Sequence, residues 1–192
     1  MNELQKINDS RFPTVDTWQT IMALSAHLSE SKALPSFIQN PAQLTMVLLA
    51  GKEAGLGAIE ALNSFYIVNG KLTIYGSAVL TQLKRAGYSV KWGKCDIKEV
   101  SLTLKAPDGT EHTETYTMAE AVKTGQTSKE VWQKYPVNML RFKCLGNAAR
   151  FFAPETIYGH YMTEDVTGGT VETVNAIDIE PETIKPQSGD NQ

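Results

Sequence analysis

Apolar residues recur at helical spacing in two stretches near the start of the chain. Trp18, Ile21, Met22, Leu24 and Leu28 predict a helix capped by Thr14 or Asp16. Asn40-Pro41 predicts a second, with a capping side chain followed by proline where the first helical N–H lacks a partner anyway. Its apolar positions are Leu44, Val47, Leu48 and Ala54, and Gly55 is its stop. The period then changes. Phe65-Tyr66-Ile67-Val68 and Lys71-Leu72-Thr73-Ile74-Tyr75 flank Asn69-Gly70, which predicts a hairpin whose type I′ turn needs positive φ at both central residues. Ser77 is expected to cap a short helix through Val79, Leu80 and Leu83, closed by Lys84-Arg85 and Gly87.

Further on, residues 88–92 and 100–105 read as strands, and Pro107-Asp108-Gly109 turns the chain into a returning strand at 110–117. Thr117 caps a helix to Thr124 that Gly125 ends. Ser128 opens a segment through Trp132 that stops before Pro136, and the last long helix covers Val137 to Phe152, ending at Pro154. Beyond Thr167 the chain is Thr, Glu, Asp, Gly and Pro with little to bury, which predicts a disordered tail. The class is α+β: a mostly antiparallel, hairpin-built sheet packed with helices. The organisation is a flexible lead over 1–13, a core over 14–166 and an acidic disordered tail over 167–192.

Composition narrows this little. A chain of 192 residues, 42% hydrophobic and 20% charged, suits one globular domain. No apolar run approaches a membrane span, so no membrane partner is expected. Residues 1–10 are polar, without the apolar core of an export signal, so the expected location is the cytoplasm. Cys95 and Cys144 are too few for a disulfide framework and read as buried thiols.

Charge changes the picture more. Residues 61–150 carry 13 Lys+Arg against 7 Asp+Glu, whereas the last 42 residues carry 1 Lys against 8 Asp+Glu. A basic middle under a total of −3 points to a polyanion partner and an acidic appendage. An ordinary solvated surface with an acidic tail has the same counts.

Catalytic chemistry is poorly supplied. His27, His112 and His160 stand apart, without metal-ligand spacing, and Gly51, Gly55 and Gly57 lack the Lys-Ser/Thr ending of a phosphate loop. Glu164-Asp165 is a pair of adjacent acids where a two-metal nuclease gathers several separated ones. No catalytic residue, metal site or cofactor is expected.

The cations fall into groups interleaved with flat rings. Lys71 follows the hairpin turn, Lys84 and Arg85 end a helix, and Lys91, Lys94 and Lys98 surround Trp92. Arg141, Lys143 and Arg150 lie on the last helix, where Met139, Lys143, Gly146 and Arg150 share one face and Arg141 points elsewhere. With Tyr66, Tyr75 and Tyr88 these are the parts of a sequence-tolerant binder of single strands. Each also has a plainer role: Lys84-Arg85 complement a helix C-terminus, and Tyr66 or Tyr75 turns into the core.

The order of motifs is distinctive. Leu34-Pro35 and Asn40-Pro41-Ala42 lead to Leu49-Ala50-Gly51-Lys52-Glu53-Ala54-Gly55-Leu56; then come Ala61 through Lys71, Gly76 and Leu83-Lys84-Arg85-Ala86-Gly87. Tyr116-Thr117-Met118-Ala119-Glu120-Ala121, Trp132, Met139 and a basic helix to Arg150 follow, with Pro154 after it. Over about residues 34–165 this series resembles the RecT/Redβ superfamily of phage recombinases, which bind and anneal single-stranded DNA. The resemblance implies ATP-independent annealing for homologous recombination and DNA repair. It also implies homo-oligomeric rings or filaments and DNA held along a basic groove. Single-stranded DNA and the annealed duplex are the implied partners, with a phage exonuclease or a host single-strand binding protein beside them. Arg141 and Arg150 match the family's basic helix, and Lys84-Arg85 its basic pair before glycine. Gly146-Asn147 stand where many members carry an arginine pair, and the tail is too short for a helical partner-binding domain. The DNA-binding set is therefore Lys71, Lys84, Arg85, Lys91, Trp92, Arg141, Lys143 and Arg150, with Tyr66 and Tyr75 as stacking candidates. The alternatives are a protein-interaction module on the same fold and a metal-dependent nuclease.

Overall fold

The computed structural model describes residues 13–31 and 34–164. Residues 1–12 of the expected lead and the whole acidic tail lie outside this range. Helix α1 (Val15–Ser29) begins where Thr14 accepts a hydrogen bond from the Thr17 N–H. It meets α2 (Pro41–Glu53) along a narrow stripe, Ile21, Ser25 and Leu28. Trp18, Met22 and Leu24, expected in that stripe, are exposed among the described residues. Asn40 caps α2 by accepting from the Gln43 N–H at 2.9 Å, and Gly55, at φ +69°, ends it. The chain then folds back as α3 (Ala58–Ser64). Gly51 lets the two helices touch: a Cβ there would stand 2.2 Å from that of Ala61.

The hairpin forms as expected. Strands β1 (Phe65–Val68) and β2 (Lys71–Ile74) pair antiparallel, with Asn69 at φ +49° and Gly70 at φ +75° in the turn. Helix α4 (Gly76–Arg85) starts one residue ahead of Ser77. Its first N–H is satisfied from far along the chain, by the buried Glu164 carboxylate at 3.2 Å, so the expected local cap is not used.

A meander of β3 (Ser89–Cys95), β4 (Glu99–Lys105) and β5 (Glu111–Thr117) forms a second sheet. Its register slips after Trp92, where Ser101 Oγ accepts from the Lys94 N–H and occupies the space a Gly93 side chain would need. Thr117 and Glu120 make a reciprocal capping box for α5 (Met118–Lys123), and α6 (Glu130–Lys134) follows. Helix α7 (Pro136–Phe152) is the centre of the molecule, with Met139, Leu140, Cys144, Leu145, Ala148 and Ala149 buried. It packs on β4 and β5 with one flank and on α4 with another. Last, β6 (Tyr161–Met162) joins β2 in parallel. The class is α+β, and the described residues form two three-stranded sheets in the orders β1-β2-β6 and β3-β4-β5. Cys144 is buried and Cys95 half-buried.

Candidate nucleic-acid interface

Strand alternation sorts the hairpin sheet into two faces. Phe65, Ile74 and Met162 align across the three strands and enter the core. Tyr66, Thr73 and Tyr161 align on the opposite face, with Val68 and Lys71 two residues along on the same side. Thr73 is buried there, hydrogen-bonded to Thr163 at 2.9 Å and to the Tyr66 carbonyl. Around it the rings run together. Phe37 and Tyr66 have centroids 4.4 Å apart, and Tyr66 and Tyr75 5.8 Å. Tyr161 is half-exposed, and the Arg150 guanidinium lies 5.5 Å from its ring centroid. Lys71 is exposed at the hairpin end and forms no ion pair among the described residues.

This face therefore gathers Tyr66, Tyr75, Lys71 and Arg150 from the sequence-derived set. It adds Phe37 and Tyr161, which no local pattern marks, since both reach it through contacts distant in sequence. The remaining candidates are dispersed. Lys84 and Arg85 end α4; Arg85 pairs with Glu60 at 2.7 Å, while Lys84 is exposed without an ion pair among the described residues. Lys91 projects from the outer face of the meander, over a cleft of about 510 Å³ shared with Thr103, Thr113 and the Lys105–Glu111 ion pair. Its neighbour Trp92 turns to the inner face, half-buried, with Arg141 6.0 Å from its ring centroid. One strand residue apart, Lys91 and Trp92 cannot present charge and ring on a single surface. Lys94, expected to join them, is held by Asp96 and Glu99.

Helix α7 separates its three cations as its geometry requires. Arg141 reaches the meander, whereas Lys143 and Arg150 lie on the opposite flank. Gly146 is buried, and Asn147 donates to Glu114 at 3.2 Å. In this fold position 146 faces packing and 147 faces the sheet, so neither offers a cation to solvent.

The histidines are spread through the structure. His112 stacks on Phe152 and meets Glu114 at 3.2 Å. His160 packs edge-on against Phe65, and burial pulls its pKa below the usual imidazole value. His27 is exposed. Among the described residues no group of three or more His, Cys, Asp and Glu could hold a metal ion, and no helix is long and apolar enough to cross a membrane.

The model of the RecT family matches residues 55–180, most of the chain, from the glycine that ends α2 onward. No curated protein and no solved structure matches it significantly. The chain belongs to the RecT family, the single-strand DNA annealing proteins of phage-type recombination.

Proposed function

We propose that this protein binds single-stranded DNA across the outer face of the hairpin sheet and anneals it to its complement without ATP, assembling as rings or filaments on DNA. The observation that supports this best is the meeting of Tyr66, Tyr75 and Tyr161 with Lys71 and Arg150 on one face. Cations neutralise phosphates, which lowers the repulsion between two strands as they approach. Rings stack on bases and hold them unpaired and extended, a sequence-tolerant contact. The duplex then supplies the driving force, so the reaction needs neither a nucleotide cofactor nor a catalytic group.

Lys84 and Lys143 extend the cationic track. Lys91 and Trp92 belong to the other sheet, where Trp92 meets Arg141 of α7 and the pair braces the meander against that helix. The core of this activity spans 14–166, and the acidic segment after it competes with DNA for the cations. Electron microscopy of the full chain with and without a long single strand tests the assembly. Rings or filaments are expected, growing when DNA is added; particles of one subunit in both conditions would refute it.

A further inference from the structure

Beside the hairpin turn the surface sinks into a cleft of about 390 Å³. Phe37 and Tyr66 line it, their rings inclined at 53°, together with three primary amides, Gln39, Gln43 and Asn69. No lysine or arginine is among the lining residues, so a phosphate has no cation to meet inside. An aliphatic ligand would leave the amides without partners. A flat ring with a polar edge suits both halves of the lining.

One of the amides has a fixed orientation. The Gln39 N–H donates to Gln43 Oε1 at 2.7 Å. A backbone N–H must meet an oxygen, so the other end of that amide is Nε2, a donor only. It forms no other hydrogen bond among the described residues. A base carbonyl oxygen accepts from such a group; thymine carries one where adenine carries an amino donor. Asn69 is held at the rim by the left-handed turn, and Lys71 follows two residues later, where the phosphates of a strand would pass.

We propose that this cleft receives one unstacked base of the bound strand, its ring against Phe37 and Tyr66 and a carbonyl oxygen accepting from Gln43 Nε2. The protein then prefers thymine over adenine at one nucleotide per subunit, a bias added to otherwise sequence-tolerant binding. The assignment rests on the single-strand reading above.

Gln43→Glu tests it, because the carboxylate still accepts from Gln39 while the donor is gone. Fluorescence anisotropy with labelled oligo(dT) and oligo(dA) gives the ratio of affinities, which cancels the uniform effect of the added charge. The wild-type ratio is expected to exceed that of Gln43→Glu by about three- to tenfold, the loss of one hydrogen bond. The uncharged Gln43→Met is expected to lower it similarly. An unchanged ratio in both variants, with DNA still bound, overturns the pocket and leaves single-strand binding standing. Failure of the wild type to bind either oligonucleotide overturns the underlying reading as well. Free thymidine is expected to compete far less well than oligo(dT); equal competition would make the cleft a nucleoside site and overturn its assignment to a strand.

Discussion

Lys71→Ala and Tyr66→Leu separate the two forces assigned to the hairpin face. Lys71 is exposed and without an ion pair among the described residues, so its loss removes one phosphate contact and leaves no buried charge behind. Each neutralised phosphate of a single strand contributes about 0.7 to the slope of log affinity against log salt. The Lys71→Ala slope should therefore be shallower by about 0.7, so that the variant's deficit shrinks about two- to threefold between about 50 and about 200 mM salt. Tyr66 carries no charge, and its ring touches Phe37 and Tyr75. Replacing it by leucine keeps apolar bulk and deletes the stacking surface, at a cost of about 1–3 kcal/mol per base, with the slope unchanged. Lys91→Ala is the internal control, because Lys91 stands on the outer face of the other sheet. Anisotropy titrations of a labelled oligonucleotide over a salt series measure all three. A Lys91→Ala slope reduced as much as that of Lys71→Ala, or a Tyr66→Leu variant that binds like wild type, would refute the assignment of DNA to the hairpin face.

Three further outcomes test the surrounding structure. Gly51→Ala forces a Cβ to within 2.2 Å of Ala61 Cβ, so α2 and α3 must part, costing about 1–3 kcal/mol; adding Ala61→Gly should recover part of the lost Tm. The Tyr88 phenol, hydrogen-bonded to Glu155, has its pKa pushed up to about 12 from 10.0. Its contribution to stability is therefore full below pH 10.0 and lost as pH rises through about 12; the Tyr88→Phe variant should lose less stability than wild type across that range in chemical denaturation, and equal losses would discount the bond. Truncation after Thr167 removes 5 of the chain's acidic residues and 1 lysine, and should tighten oligonucleotide binding at low salt; unchanged affinity would remove the tail from competition.

Local signals in the sequence carried the fold a long way. Asn69-Gly70 specified the turn because both residues accept the positive φ that a two-residue type I′ turn needs. Asn40-Pro41, Thr117 with Glu120, and the glycines at 55 and 125 marked helix ends through contacts within one turn of chain. What escaped was non-local. The start of α4 depends on Glu164, 88 residues away, and β6 pairs with β2 across the whole molecule. The sheet divides in two because the meander closes on α7 rather than on the hairpin. The candidate site divides for the same reason: Lys91 and Trp92 are adjacent in sequence yet on opposite faces, while Phe37, Tyr66 and Tyr161 are distant in sequence yet on one. Periodicity located the helix α1 but not which of its apolar residues meet α2: Ile21 is buried, whereas Trp18 and Met22 are exposed among the described residues.

The most direct test of annealing adds two complementary oligonucleotides in turn to the full-length protein at low salt, without nucleotide. Anisotropy follows the first strand, and a donor–acceptor dye pair follows pairing. The first strand should bind in a salt-sensitive manner, and the second should then pair faster than it does in buffer alone. No binding of the first strand, or pairing no faster than without protein, would contradict the account.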